Sequence, residues 1–262
     1  MKNYLFLSLL LSIGICVGCS SSDDNKPEAP DVEIPSVDEL TSIQVGLVAY
    51  YTFNNSTGDD GTSHHYDAAL INHPEMLSDT PSGRGKSVWL KKEEKQYINI
   101  PYQLFKNTTY SATLWVKDFG AGILLSAVNI DKALDFPCLA ARTKSGKFEL
   151  YSNNRADFSK SYAFSYPFST LQDGKWHMIG FTHIPNGDGF SCEKKLYVDG
   201  KFVANCEGVY DVPSSIKVQI GGDCDGHYSS FSEDMKLDNI RIYDRVLEAE
   251  EMDAIYRLER LQ

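Results

Sequence analysis

The clearest periodic pattern lies near the end of the chain, in residues 236–253, which read KLDNIRIYDRVLEAEEMD. Ile240 and Ile242 alternate with polar neighbours, which predicts a β-strand with one buried and one hydrated face. The same alternation predicts that Asp238 shares the buried face, where a carboxylate needs a hydrogen bond, an ion pair or a metal. After Arg245 the apolar positions are spaced as in a helix, so the strand is predicted to lead into a short helical cap.

Shorter alternating segments fill the chain before this strand. Residues 46–53, GLVAYYTF, predict a first strand, and residues 194–203, KKLYVDGKFV, predict a hairpin. The hairpin turn falls at Asp199-Gly200, a preferred dipeptide for the two-residue type I′ turn. Because short apolar runs alternate with Gly, Asn and Asp turns from Gly46 onward, the pattern predicts an all-β sandwich.

The first 44 residues do not follow this pattern. Residues 1–18 carry Lys2 and then an apolar run, which is typical of a secretory signal and too short for a transmembrane helix. Residues 19–44 are rich in Ser, Asp, Glu and Pro, which predicts a flexible tether. The remaining residues, 45–262, are long enough for one sizeable β domain.

The charge of the chain excludes one class of partner. The sequence has 262 residues and a formal net charge of −11. Nucleic-acid binding depends on neutralising phosphates with a basic surface, and no Lys/Arg stripe is present. We therefore expect no nucleic-acid partner.

Several predicted strands resemble the laminin-G-like, concanavalin A-like jelly-roll modules of bacterial surface proteins. The resemblance is carried by GLVAYYTF, DGKWHMIGF, LYVDGKFV and LDNIRIYDRVL, which occur in the family's order. It implies an all-β, two-sheet antiparallel jelly roll with a short C-terminal helical turn. It further implies that residues 46–53 lie beside residues 236–243.

The signal resembles that of bacterial lipoproteins, because a small residue, Gly18, precedes Cys19. This resemblance implies that Cys19 becomes the lipid-bearing first residue and anchors the chain to the membrane. The acidic segment that follows, SSSDD, resembles the tether of surface-exported lipoproteins in Bacteroides-like bacteria. We therefore expect the protein to be anchored in the outer membrane and to face the cell exterior. The alternative is an ordinary secretory signal.

The family resemblance also implies a structural calcium ion. Calcium takes six to eight oxygen ligands from carboxylates, amides, carbonyls and water. The matching positions are Asp60 and Asp238, with Asn54 as a substituted third ligand. The alternative for Asp238 is hydrogen bonding to backbone amides.

Four cysteines remain after Cys16 and Cys19: Cys138, Cys192, Cys206 and Cys224. An even number in an exported chain predicts one or two disulfides. With Val198 opposite Lys201, the two hairpin cysteines fall one residue out of register, and one β-bulge would bring Cys192 and Cys206 together. We predict that pair, with Cys138–Cys224 as a weaker second pair.

The sequence lacks the carboxylates of a glucanase. Laminarinase-like enzymes of this fold carry an E-x-D-x-E strand, and no such triplet occurs here. Glu248, Glu250 and Glu251 fall in the predicted helical cap, and His64-His65 fall at turn positions. The three tryptophans match core positions of the family, so we predict that they are buried. The chain is therefore predicted not to be an enzyme.

The predicted ligand surface lies on the strand after Lys147. Phe148 and Leu150 are predicted to point inward, which leaves Tyr151 and Asn153 on the outer face, with Arg142 nearby. An aromatic ring beside an amide suits a sugar, so a glycan is the expected ligand. The alternatives are a merely solvated face, or a protein–protein adhesion or spacer domain that binds a surface protein.

Overall fold

The computed structural model describes residues 33–101, 104, 109–120, 122–129, 139–144, 146–153, 161–188, 191–209, 216–222 and 234–261. Within these residues the chain forms two α-helices, one 3₁₀ turn and a long series of β-strands. The helices are α1 (Val37–Ser42) and α2 (Ala249–Glu259), and the 3₁₀ turn is Phe168–Leu171. The strands are β1 (Leu47–Tyr51), β2 (Ala69–Ile71), β3 (Glu75–Leu77), β4 (Ser87–Leu90), β5 (Tyr97–Ile100), β6 (Tyr110–Lys117), β7 (Ile123–Asn129), β8 (Leu139–Lys144), β9 (Lys147–Asn153), β10 (Ser161–Pro167), β11 (His177–Pro185), β12 (Ser191–Val198), β13 (Lys201–Val209), β14 (Ile216–Ile220) and β15 (Met235–Tyr243).

The strands form two antiparallel sheets. The eight-stranded sheet has the order β13-β12-β11-β6-β15-β4-β3, with β1 also paired to β15. The seven-stranded sheet has the order β10-β9-β8-β7-β14-β5-β2. The predicted two-sheet antiparallel jelly roll with a C-terminal helical turn is confirmed. No helix among the described residues has the length and apolar character needed to span a membrane.

The first and last strands of the domain lie side by side, as predicted. Leu47 of β1 pairs with Tyr243 of β15, and Tyr51 pairs with Ile240. The main core contains apolar side chains from both sheets, because each strand alternates between an inward and an outward residue. Its largest aromatic members are Tyr51, Phe53, Phe119, Phe148 and Phe181.

Helix α2 covers part of the outer face of the eight-stranded sheet. Met252 and Ile255 of the helix are fully buried against Trp115 and Met178 of the sheet. The approach is close enough that a Cβ on Gly180 would lie 2.8 Å from the Met252 Sδ. The helical cap expected from the sequence is thus an 11-residue helix with its own buried face.

A β-bulge in β15 changes the face on which Asp238 lies. Asp238 pairs with Trp115, but Arg241 pairs with Thr113, so β15 contains one extra residue between the two pairs. Asn239 takes φ +45° there, a left-handed conformation that asparagine tolerates better than most residues. The prediction that Asp238 shares the face of Ile240 and Ile242 is therefore wrong: it lies on the outer face, toward α2.

The β12–β13 hairpin has the predicted turn and a different register. Asp199 and Gly200 have φ of +51° and +78°, as a type I′ turn requires. A bulge in β13 then places Cys192 opposite Gly208 and Cys206 opposite Lys194. This bulge moves the two cysteines further out of register, contrary to the expected shift. The Cys192–Cys206 disulfide stays a prediction, and Cys138 and Cys224 lie outside the described residues.

Candidate ligand-binding surfaces

The three predicted ligand residues lie on two neighbouring strands of the seven-stranded sheet. Tyr151 and Asn153 belong to β9, and Arg142 belongs to β8. Arg142 pairs with Glu149, two residues before Tyr151, so the register brings the predicted residues close along the backbone. Their side chains lie outside the described part of the structure, and their ligand role stays a prediction.

The register extends this site into a row across the seven-stranded sheet. Tyr151 pairs with Ala140, Ala140 with Ser126, Ser126 with Gln219, and Gln219 with Asn99. The Gln219 Nε2 donates to the Asn99 Oδ1 at 2.9 Å, which fixes the orientation of both amides. Ser126 and Gln219 are buried and Asn99 is half-buried. The sequence alone does not reveal this row, because only the pairing of five strands assembles it.

Asp60 organises the loop after β1. Its Oδ1 accepts hydrogen bonds from the Tyr50 and Thr62 amides, both at 2.9 Å. Its Oδ2 accepts from the Thr62 hydroxyl at 2.7 Å and the Tyr66 amide at 3.0 Å. Burial raises the pKa of Asp60, but these hydrogen bonds outweigh burial and hold its pKa below the usual range.

Asp238 has a very different environment on the outer face of β15. The side chain is buried, and its Oδ1 accepts a hydrogen bond from the Asn239 amide at 2.8 Å. Burial raises the pKa of Asp238 to about 8, against the Asn239 hydrogen bond and with a further contribution from the Glu259 carboxylate. This carboxyl group therefore holds its proton at neutral pH.

Asn54, Asp60 and Asp238 do not fit a common calcium site. The Tyr50 amide and carbonyl both bond the Asp60 loop, so β1 lies between Asp60 and β15. The Asn54 Oδ1 accepts from the Lys86 amide at 2.8 Å and holds a different turn. The described residues contain no group of three or more His, Cys, Asp or Glu side chains placed to hold a metal ion.

The structure does not test calcium binding, so chelation of the full chain is the measurement that decides it. Because protein donors already satisfy both Asp60 oxygens, we expect EDTA to leave the melting temperature of the full chain unchanged. The measurement is differential scanning calorimetry with EDTA and then with excess Ca²⁺. A lower melting temperature in EDTA that Ca²⁺ restores would contradict this expectation and point to other oxygen ligands.

The tryptophans differ from the prediction that all three are buried. Trp115 is buried beneath α2, and its Nε1 donates to the Glu259 Oε2 at 2.6 Å. Trp89 and Trp176 are only half-buried. Trp89 lies between two core residues of β4, Val88 and Leu90, so strand alternation places it on the outer face of the eight-stranded sheet.

Asp79 links this outer face into one charged network. Its carboxylate accepts hydrogen bonds from the Lys117 and Lys236 ammonium groups, each at 2.9 Å, and from the Trp176 Nε1 at 3.0 Å. Burial raises the pKa of Asp79, and these donors lower it to about 2. The carboxylate is thus ionised at all physiological pH values, and it holds the two lysines and Trp176 together.

His177 lies between two carboxylates at the end of the β12–β13 hairpin. Its Nδ1 is 2.8 Å from the Asp199 Oδ2, and its Nε2 is 3.0 Å from the Asp173 Oδ1. The Asp199 hydrogen bond raises the pKa of His177 above its usual value; partial burial opposes this and Asp173 adds to it. His177 therefore holds its proton to higher pH in the folded state than in the unfolded state.

This arrangement predicts a pH-dependent contribution to stability. The stabilisation from His177 is fully present below about pH 6.5, the pKa of unfolded histidine, and is lost as pH rises through the higher folded pKa. We expect His177→Gln to flatten this loss, which is about 1 kcal/mol or less for partly exposed pairs. Urea unfolding between pH 5 and 9 measures it; equal slopes in both proteins would contradict the assignment.

The cluster of glutamates that the sequence shows before Met252 belongs to a helix cap. Glu248, Glu250 and Glu251 lie at the start of α2, as predicted from the sequence. Glu248 and Glu251 form the capping box of the helix, and Glu251 also binds Arg245 at 2.7 Å. The contacts of these acids are those of a helix cap.

Comparison with known proteins identifies the family to which this fold belongs. A family model described as "Concanavalin A-like lectin/glucanases superfamily" matches residues 92–253. No curated protein matches the chain.

Solved structures show the same fold at low identity. Domain 4 of AbnA, a GH43 extracellular arabinanase from Geobacillus stearothermophilus solved with arabinotriose, has a TM-score of 0.58 and 18% identity, covering 80% of this chain and 98% of that domain. The binding domain of Paraclostridial Mosquitocidal Protein 1 has a TM-score of 0.58 and 15% identity over 82% of this chain and 52% of that one.

A botulinum neurotoxin type C structure, described as dependent upon two ganglioside molecules for cell entry, has a TM-score of 0.59 and 12% identity over 83% of this chain and 52% of that one. The chain thus spans about half the length of the toxin structures that it matches. At these identities the likeness shows the fold alone. With the family model covering more than half of the sequence, the chain belongs to the concanavalin A-like lectin/glucanase superfamily.

Proposed function

We propose that this protein is a non-catalytic, surface-anchored module that binds glycans. The observation that carries the proposal is the row across the seven-stranded sheet, in which hydrogen-bonded amides at Asn99 and Gln219 lead in register to Tyr151. The buried Gln219 holds the half-buried Asn99 amide in a fixed orientation. An amide fixes sugar hydroxyls and an aromatic ring stacks on a sugar face, so Asn99 and Tyr151 are the groups of this row that suit a sugar. The arabinanase domain with arabinotriose and the ganglioside-dependent toxin support this reading.

The absence of a catalytic role is part of the proposal. A glycosidase needs two carboxyl groups facing one cleft, one of them with a raised pKa. Burial raises the pKa of two carboxyl groups, Asp238 and Glu259, and both are enclosed between β15 and α2 rather than placed in a cleft. The other acids described above are occupied by helix capping, loop hydrogen bonds, lysine pairs and the two contacts to His177.

Anchoring through Cys19 is proposed from the sequence alone, since this residue lies outside the described part of the chain. The lipid would hold the module on the outer membrane, facing the cell exterior. Cell fractionation tests this proposal. Cys19→Ala should move the protein out of the membrane fraction, and retention of the variant there would contradict the lipid anchor.

Glycan-array binding by the full chain tests the ligand. We expect saturable binding to a subset of glycans and its loss on Tyr151→Ala. Phe202→Ala is the matched control, because Phe202 is an exposed aromatic residue on β13 of the other sheet. A blank array would contradict glycan binding and favour a protein–protein adhesion or spacer domain. Release of reducing ends from β-glucan would contradict the non-catalytic assignment.

A further inference from the structure

The outer face of the eight-stranded sheet carries a second row of aromatic and polar side chains, beside the part that α2 covers. Trp89 of β4 pairs with Glu75 on one side and with Lys236 of β15 on the other. Lys236 in turn pairs with Lys117 of β6. Trp176 precedes β11 directly and reaches the same place, because its Nε1 and the Lys117 ammonium group share Asp79.

The two tryptophans thus stand at the two ends of a short polar strip. β15 and β6 lie between their strands, and three inter-strand steps of about 4.8 Å give a separation of roughly 14 Å. Both rings are half-buried, so each is held by the protein and keeps part of its surface in solvent. The Lys91 ammonium group lies over one face of the Trp89 ring, 4.4 Å from its centroid, so a sugar would have to stack on the opposite face.

The charges of the strip determine which ligands suit it. Lys91 pairs with Glu75 at 3.2 Å and Glu94 at 3.6 Å. Lys117 pairs with Asp79, and Lys236 pairs with Asp79 and Asp118 at 2.9 and 2.8 Å. Every lysine therefore has a carboxylate, and the strip offers donors and acceptors with no surplus positive charge. Such a surface complements an uncharged, hydroxyl-rich ligand and does not attract an anionic one.

We infer that this strip, defined by Trp89, Lys236, Lys117, Asp79 and Trp176, is a second glycan-contact surface that takes a neutral polysaccharide chain. The tryptophan rings stack on sugar faces at the two ends, and the ion-paired side chains between them hydrogen-bond hydroxyl groups. The inference rests on the proposed glycan-binding function. It places a contact on the sheet opposite to Tyr151, so that one module touches polysaccharide on both sides.

Affinity electrophoresis of the full chain tests this surface. The probes are arabinan and mixed-linkage β-glucan as neutral polysaccharides, and polygalacturonate as an anionic one. We expect retardation by at least one neutral probe and none by polygalacturonate. Trp89→Ala should weaken that binding by roughly tenfold, the size of one aromatic contact. The control is Phe202→Ala, which removes an exposed aromatic residue of the same sheet outside the strip and should keep the wild-type retardation.

A second measurement on the wild-type chain avoids any folding defect of the variant. N-bromosuccinimide oxidises accessible tryptophans, and peptide mass spectrometry reports Trp89 and Trp176 separately. The polysaccharide that retards the chain should slow the oxidation of both. Unchanged oxidation, or retardation that Trp89→Ala leaves intact, would overturn the inference. If only Tyr151→Ala abolishes retardation, the proposed glycan-binding function is retained and the second surface is rejected. If no polysaccharide retards the chain and the glycan array is blank, both the proposed function and the second surface are rejected.

Discussion

Replacing Glu259 by alanine is expected to lower the free energy of unfolding by about 3–5 kcal/mol, the cost of breaking a buried ion pair from one side. Glu259 is fully buried at the end of α2. Its Oε1 accepts from the Arg241 Nε at 2.6 Å, and its Oε2 accepts from the Trp115 Nε1 at 2.6 Å. The substitution would leave a buried guanidinium and an indole N–H without their acceptor.

Arg241 has little to replace that contact. Its guanidinium stacks over the Tyr50 ring at 3.9 Å, and its Nη1 has no hydrogen-bond partner among the described residues. An unpaired buried charge costs far more than a well-paired one gains, so the loss should exceed that of an ordinary surface salt bridge. The effect should be seen as earlier urea unfolding and as a red shift of Trp115 emission when α2 loosens.

The matched control is Glu250→Ala, an exposed glutamate on the same helix, with an expected change within about 0.5 kcal/mol. A second comparison replaces both partners, Arg241→Met with Glu259→Leu, which removes the charges together. Such double replacements are often close to neutral, so this variant should recover most of the loss. A change below about 1 kcal/mol for Glu259→Ala would contradict the structural role assigned to the pair.

The second large effect concerns Asp238, whose replacement by asparagine is expected to stabilise the protein at alkaline pH. The folded pKa of about 8 lies above the unfolded value of 3.8, so the folded state binds the extra proton between these values. The contribution of Asp238 to stability is therefore fully present below about pH 4 and is lost as pH rises to about 8. Each pKa unit corresponds to about 1.4 kcal/mol, so the loss amounts to a few kcal/mol at pH 9.

Asparagine is neutral and nearly the same size, and its side-chain oxygen accepts the Asn239 hydrogen bond as the carboxyl does. Asp238→Asn should thus match the wild type near pH 4 and exceed it by about 2 kcal/mol or more at pH 9. Urea unfolding at both pH values measures the difference. Asp244→Asn, an exposed change at the end of the same strand, serves as control. Parallel pH profiles for wild type and Asp238→Asn would show that the carboxyl is not held protonated.

Both predictions concern the outer face of the eight-stranded sheet, and sequence reasoning did not locate that site. Alternation along β15 places Asp238 with the isoleucines, yet the bulge at Asn239 puts it beneath α2 with Arg241. A bulge inserts only one residue into a strand, and asparagine at such a position occurs in many other settings. Without the partner strand β6, nothing in the local pattern marks the extra residue.

The candidate ligand surfaces likewise could not be located from local sequence patterns. The sequence places Tyr151 and Asn153 on a strand, but the strands that carry Asn99 and Gln219 become neighbours only through the sheet order. Trp89 and Trp176 were predicted to be buried because their positions match core positions of the family that the sequence resembles. Helix α2 covers Trp115, whereas Trp176 packs only partly against the same cluster and Trp89 does not belong to it.

The sequence by itself determined the elements whose signals are local. Apolar alternation predicted β1 and β15 and, with the family resemblance, their pairing; Asp199-Gly200 predicted the hairpin turn, and the changed spacing after Arg245 predicted α2. Only the tertiary structure decided the two bulges, the protein partners of Asp60 and the burial of Glu259. These features depend on which distant strands and helices come into contact. A short segment of sequence does not determine the energy of such contacts.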